Sequence, residues 1–169
     1  MLSEQAINEI RALQARYPVA RSALGPALYV AQREVGWLPP EAIAAVGGLF
    51  GLDPAEVAEF ASFYHMYNIH HEPGQYTIEL CDNVPCMLRG SARLGDMLQE
   101  RLGVAFGETT ADGKFTLGHV ECLGACATAP MFMCTEKYTG RIRYFEELDT
   151  PEKLDEALAL IASGHGFDT

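Results

Sequence analysis

Residues 76–90 read YTIELCDNVPCMLRG and residues 115–130 read FTLGHVECLGACATAP. Both stretches begin as strands: YTIEL (76–80) alternates apolar and polar residues and runs straight into Cys81, while FTLGHVE (115–121) runs straight into Cys122. Between them the pattern predicts a helix from about Met87 to Leu102, with Leu88, Leu94, Met97 and Leu98 on its inner face. Strands joined through a helix in one sheet are normally parallel, with a right-handed crossover, so both ends emerge at the same edge. The order of elements alone therefore brings two loops together, one bearing Cys81 and Cys86 and the other Cys122 and Cys126. That edge is where open sheets usually bind ligands.

The elements on either side complete the domain. MFMC (131–134) and RIRYF (141–145) read as a hairpin turning at Thr139 and Gly140, and Thr150 with Pro151 starts a last helix whose face carries Leu154, Leu158 and Ile161. Strand, helix, strand, then strand, strand, helix is the element order of a thioredoxin-like domain. By that analogy Pro130 occupies the place where such folds hold a cis proline.

Upstream the pattern is helical. Apolar residues recur at Ile7, Ile10 and Leu13 after Ser3, stop at Tyr17 and Pro18, and resume at Leu24, Leu28 and Ala31 before Gly36. Pro39 and Pro40 open a short helix that ends near Gly51. Asp53, Pro54 and Glu56 then spell a capping box, and Val57, Phe60, Ala61 and Tyr64 fall on one face of the helix that follows. HHEPGQY (70–76) marks the boundary. The expected architecture is α+β/α/β: an N-terminal helical bundle over 1–72, followed by a thioredoxin-like domain over 73–169.

Composition limits the chemistry. The 169 residues carry a formal charge of −11, which argues against a nucleic-acid groove, since binding a phosphate backbone needs clustered Lys and Arg. No apolar run is long enough to span a bilayer, and MLSEQAINEIRALQ has no signal-peptide core. A cytoplasmic protein without direct membrane insertion is expected, and in that compartment paired cysteines are metal ligands or redox groups before they are disulfides.

Four thiols in two short pairs suit one structural zinc ion or one iron-sulfur cluster, and their spacing leaves these two even. The character of the second loop favours the cluster. LGACATA (123–129) is bare, with Gly124 free to turn tightly and Ala125, Ala127 and Ala129 keeping side chains away from bridging sulfides. The helix start near Met87 is expected to offer its dipole to the same anion, and Arg89 a positive charge. A dithiol oxidoreductase is the weakest reading, because no C-x-x-C is present.

The combination of Cys-x4-Cys, Cys-Leu-Gly-Ala-Cys and the following Ala-Pro, with WLPPEAI (37–43), AEFASFYHMY (58–67) and CMLRG (86–90), resembles the thioredoxin-like 2Fe-2S subunit of NADH:quinone oxidoreductase, respiratory complex I. The resemblance implies that Cys81, Cys86, Cys122 and Cys126 ligate one 2Fe-2S cluster. It further implies docking beside a flavoprotein subunit that binds NADH and FMN, among further complex I subunits peripheral to the inner face of the cell membrane. The chain would be an electron carrier within an oxidoreductase and translocase complex of the respiratory chain, without a substrate site of its own. Absence of a GxGxxG after a strand agrees that NADH and FMN belong to a partner only. An equivalent diaphorase subunit of an NAD-linked hydrogenase or formate dehydrogenase is the alternative within the class, and a zinc-stabilised interaction module the alternative outside it. The hairpin CTEKYTG (134–140) departs from many relatives, which carry Asn and acidic residues after the Ala-Pro.

Other residues are read more plainly. Cys134 is expected to be a buried strand residue rather than a fifth ligand. His65, His70 and His71 belong to a solvated linker, and His119 either to the cluster's surroundings or to a sheet face. Phe60 and Tyr64 are expected in the core, with Phe63, Met66 and Tyr67 on a partner surface.

Overall fold

A computed structural model describes residues 2–167, and the chain divides into two compact units between Glu72 and Pro73.

The first unit is built from four helices, α1 (Glu4–Gln14), α2 (Leu24–Val35), α3 (Pro40–Phe50) and α4 (Pro54–Phe63). Their ends are written in the sequence. Ser3 accepts from the Ala6 N–H at the start of α1, Gly36 and Gly51 close α2 and α3 in the left-handed conformation, and Asp53 with Glu56 forms the capping box of α4. Ile10, Leu24, Leu28, Leu38, Val46 and Val57 fill the space between the helices. Each such side chain contributes about 1.5–3 kcal/mol by leaving water.

The aromatic run at the end of α4 is placed differently from its helical spacing. The helix stops at Phe63, and Tyr64 already has extended backbone. Beyond that point a period of 3.6 no longer decides which side chains turn inward. Tyr67 is therefore the buried ring, its hydroxyl donating to the Gly25 carbonyl at 3.0 Å, while Tyr64 is exposed with Phe63 and Met66. Phe60 packs against the core as a half-buried residue.

The second unit holds a four-stranded sheet in the order β2-β1-β3-β4. Strand β1 (Tyr76–Cys81) pairs in parallel with β2 (Phe115–Val120) and antiparallel with β3 (Phe132–Glu136), which pairs antiparallel with β4 (Ile142–Phe145). The parallel register runs from Tyr76 opposite Phe115 to Cys81 opposite Val120. Gly74 starts this pairing: its N–H donates to the buried Thr116 hydroxyl at 2.6 Å, and a Cβ there would meet the Lys114 backbone at 3.0 Å.

Between β1 and β2 the chain forms two helices, not the single one expected. A five-residue helix α5 (Val84–Leu88) precedes α6 (Ser91–Leu102), and the break falls at Arg89 and Gly90, whose φ of 99° a side chain would strain. Leu94, Met97 and Leu98 are buried as their spacing predicts, but Leu88 ends the separate short helix and is 76% exposed. The last helix, α7 (Pro151–Ala162), is capped by Thr150 and buries Leu154 and Ile161, with Leu158 partly buried. The Ala129–Pro130 peptide is cis.

Candidate metal centre

Both thiol loops begin where the parallel pair ends. After Cys81 the Asp82 N–H still donates to the Val120 carbonyl at 3.1 Å, and the Cys81 N–H donates to the Met131 carbonyl at 3.2 Å. Asn83 then caps α5, accepting from the Val84 N–H at 2.8 Å, so that Cys86 is carried inward on a single helical turn. Met87 lies inside this helix, which corrects the expectation that a helix start near Met87 faces the site. The helix also has only five residues, so its macrodipole is small.

On the second loop Gly124 has φ 78°, and a Cβ there would meet nothing within 4 Å; the backbone angle, not crowding, demands glycine. A short 3-10 turn over Cys126–Thr128 follows, tied by the Thr128 hydroxyl to the Ala125 carbonyl at 3.2 Å and to the Glu146 carboxylate. Tyr144 on β4 donates its hydroxyl to the Leu123 carbonyl at 2.9 Å, and Arg89 reaches from the first loop to the Ala129 carbonyl at 3.4 Å.

The four expected cysteines stand in two contacting pairs. Cys81 and Cys86 are buried and Cys122 and Cys126 exposed, and within each pair the two thiols lie near enough to act on one another. Cys126 also lies within electrostatic reach of both Cys81 and Cys86. One small apolar cluster unites the loops: Cys81, Cys86, Ala129 and Met131, with Leu123 and Ala125 packed against it. Burial pushes the Cys86 thiol up to about 11, helped by the Cys81 sulfur and opposed by the backbone N–H of Met131. The Cys126 thiol is raised too, first by its bond with Cys122 and then by desolvation. Metal entering such a site displaces protons, because thiolates are the ligands.

Among the described residues no three His, Cys, Asp or Glu groups are close enough to hold a single metal ion. Four thiols on two adjoining loops, with Ala125 and Ala129 among the side chains packed there, suit an iron-sulfur centre held by thiolates.

The remaining residues separate cleanly. Cys134 lies on β3 with no exposed surface, in the main core of the unit. His65, His70 and His71 are exposed in the first unit. His119 is exposed on β2 and bonds through Nδ1 to Asp82 at 2.9 Å, next to the first loop. Several supporting residues carry no sequence signature of their own: the Met131 amide, Tyr144 and Glu121, whose carbonyl accepts from the Cys81 thiol at 2.9 Å. Asn83 is different, since Asn followed by Val-Pro is a legible helix start.

A family model, thioredoxin-like [2Fe-2S] ferredoxin, matches residues 10–161. The chain belongs to that family. Membership places the ferredoxin among iron-sulfur proteins, and its fold of N-terminal helices and a four-stranded mixed sheet agrees. An NADH-quinone oxidoreductase subunit of Rhizobium meliloti is 47% identical over 136 residues, covering 80% of each chain. NADH-quinone oxidoreductase subunit 2 of Thermus thermophilus is 38% identical over 152 residues, 89% of this chain and 80% of that one. Among solved structures, the NAD+-reducing [NiFe]-hydrogenase in the air-oxidized state superposes with a TM-score of 0.68 at 29% identity. That match covers 83% of this chain but only 23% of the hydrogenase chain, so the ferredoxin spans under a quarter of its length. No helix among the described residues is long and apolar enough to cross a membrane.

Proposed function

We propose that the chain is the electron-transfer subunit of an NADH:quinone oxidoreductase, and that Cys81, Cys86, Cys122 and Cys126 hold one 2Fe-2S cluster. One observation carries this reading: two thiol couples are delivered to the same end of a parallel strand pair, in a chain whose relatives are NADH-quinone oxidoreductase subunits. When bound, such a cluster takes up and releases one electron at a time. The protein's part is to supply the thiolates, to bury one couple and expose the other, and to keep small side chains around the sulfides. The Met131 N–H aimed at Cys86 favours negative charge on that sulfur.

The exposed couple, Cys122 and Cys126, is the side open to an electron partner. That partner is a flavoprotein subunit binding NADH and FMN, with which the cluster exchanges electrons. The chain itself carries neither cofactor. It works as a peripheral member of the complex at the inner face of the cell membrane, together with further subunits. Domain limits of 1–72 and 73–169 follow the division of the two compact units.

The hydrogenase likeness supports a second reading in which the same electron-carrying part serves an NAD-linked hydrogenase or a formate dehydrogenase. Purification of the intact assembly separates the two. Two irons and two acid-labile sulfides per chain, with quinone-reducing subunits identified by mass spectrometry, are expected. Hydrogenase or formate-oxidising subunits would give the second reading, and a colourless chain with one zinc would refute both.

A further inference from the structure

The parallel pairing of β1 and β2 does not stop at its last backbone rung. Two side-chain contacts extend it: Asp82 bonds back to His119, on β2 one residue before the last rung, at 2.9 Å, and past that rung the Asn83 Nδ2 donates to Glu121 Oε2 at 2.9 Å. Asn83 is used at both ends of its amide, because Oδ1 simultaneously caps α5 by accepting from the Val84 N–H at 2.8 Å. One side chain thus fixes the turn that carries Cys86 and grips the residue immediately before Cys122.

A third contact between these segments is the thiol of Cys81 donating to the Glu121 carbonyl. It needs the sulfur's proton, and a ligating cysteine has lost that proton. The Asn83 to Glu121 bond has no such dependence. We infer that Asn83 and Glu121 are positioning residues, holding the two thiol loops in register for the iron-sulfur centre. This rests on the assignment of the four cysteines made above. Neither residue touches the metal; each acts through the cysteines beside it.

Donor and acceptor can be exchanged. Asn83→Asp keeps an oxygen to cap α5 but sets two carboxylates against each other. Glu121→Gln keeps an oxygen to accept from Asn83. In the double variant the new amide at position 121 donates to the new carboxylate at position 83, restoring the bond with reversed polarity. The full chain is loaded with its centre, and its visible absorbance is followed in excess ferrous chelator. Asn83→Asp is expected to shorten the half-life of the colour about tenfold, as loss of one charge-assisted bond implies. Glu121→Gln and the double variant should stay within about twofold of the parent. In the metal-free chain, deuterium uptake over residues 121–128 should rise in Asn83→Asp and return in the double variant. Unchanged retention or uptake in Asn83→Asp, or a double variant that fails to recover, overturns the inference. A parent chain that binds no iron counts against the cysteine assignment instead, and the deuterium measurement then decides the positioning role alone.

Discussion

Replacing Cys134 by serine tests the ligand set without disturbing either thiol loop. Cys134 is fully buried on β3, in register with Ile78 of β1 on one side and Arg143 of β4 on the other. Burial pushes its thiol up to about 12, with the nearby Glu136 and Glu79 adding to the rise, so it stays neutral and apolar in character. Serine is of similar shape but brings a hydroxyl that must be desolvated, at a cost of about 1–3 kcal/mol. In a unit of about 100 residues each kcal/mol lowers the midpoint of thermal unfolding by about 4–8 °C, so a fall of about 4–24 °C is expected. The assay pairs that melt, followed by circular dichroism, with iron and sulfide content and the visible spectrum at a temperature well below it. Stability should drop while iron, sulfide and spectrum remain those of the parent. A bleached or altered spectrum in folded Cys134→Ser would mean that this thiol reaches the metal, and the division into two ligating couples would fail.

The complementary change, Cys122→Ser, touches an exposed thiol and should shift stability of the metal-free chain by no more than about 0.5 kcal/mol. It should nevertheless lose or alter the centre, which iron content and electron paramagnetic resonance would register. Asp53→Ala removes the capping box of α4 and should lower the stability of the helical unit by about 1 kcal/mol in a urea titration. Tyr67 gives a pH signature. Burial, with repulsion from Tyr29 and Tyr64, raises its hydroxyl from the ordinary 10.0 to about 12, so the folded state favours the neutral form. Its contribution is complete below pH 10 and is lost as pH rises toward 12. Tyr67→Phe should flatten that part of the stability profile while costing about 1 kcal/mol at neutral pH through loss of the hydroxyl's bond to the Gly25 carbonyl.

The residues that mark element boundaries and strand faces are the readable part of this chain. YTIEL and FTLGHVE, strand-like stretches that each run into a cysteine and are joined through helical sequence, specify the parallel pair and hence the edge where the loops meet. Asp53-Pro-Ala-Glu specifies a helix start by local hydrogen bonding alone. The departures from expectation have local causes. Apolar spacing from Leu88 through Leu98 looks continuous, yet Asn83 and Pro85 start a helix earlier and Gly90 breaks it, so Leu88 faces water. Tyr64 and Tyr67 exchange their expected places because helical periodicity holds only as far as the last residue of α4. Contacts between the second thiol loop and β4 join residues far apart in the chain, such as Tyr144 with Leu123, and no pattern in one sequence announces them.

The strand order has a consequence for how the protein is made. Residues 87–121 separate the two thiol couples, and β3, whose neighbour Met131 backs the first of them, comes later still. A ribosome releases the chain from its N-terminus, so Cys81 and Cys86 emerge while their counterparts are not yet translated. The two thiol loops come together only after the central strand has gained a neighbour on each side. On the proposed ligand set, loading would follow folding of the second unit, and a factor delivering the iron would meet a nearly finished protein rather than a nascent one.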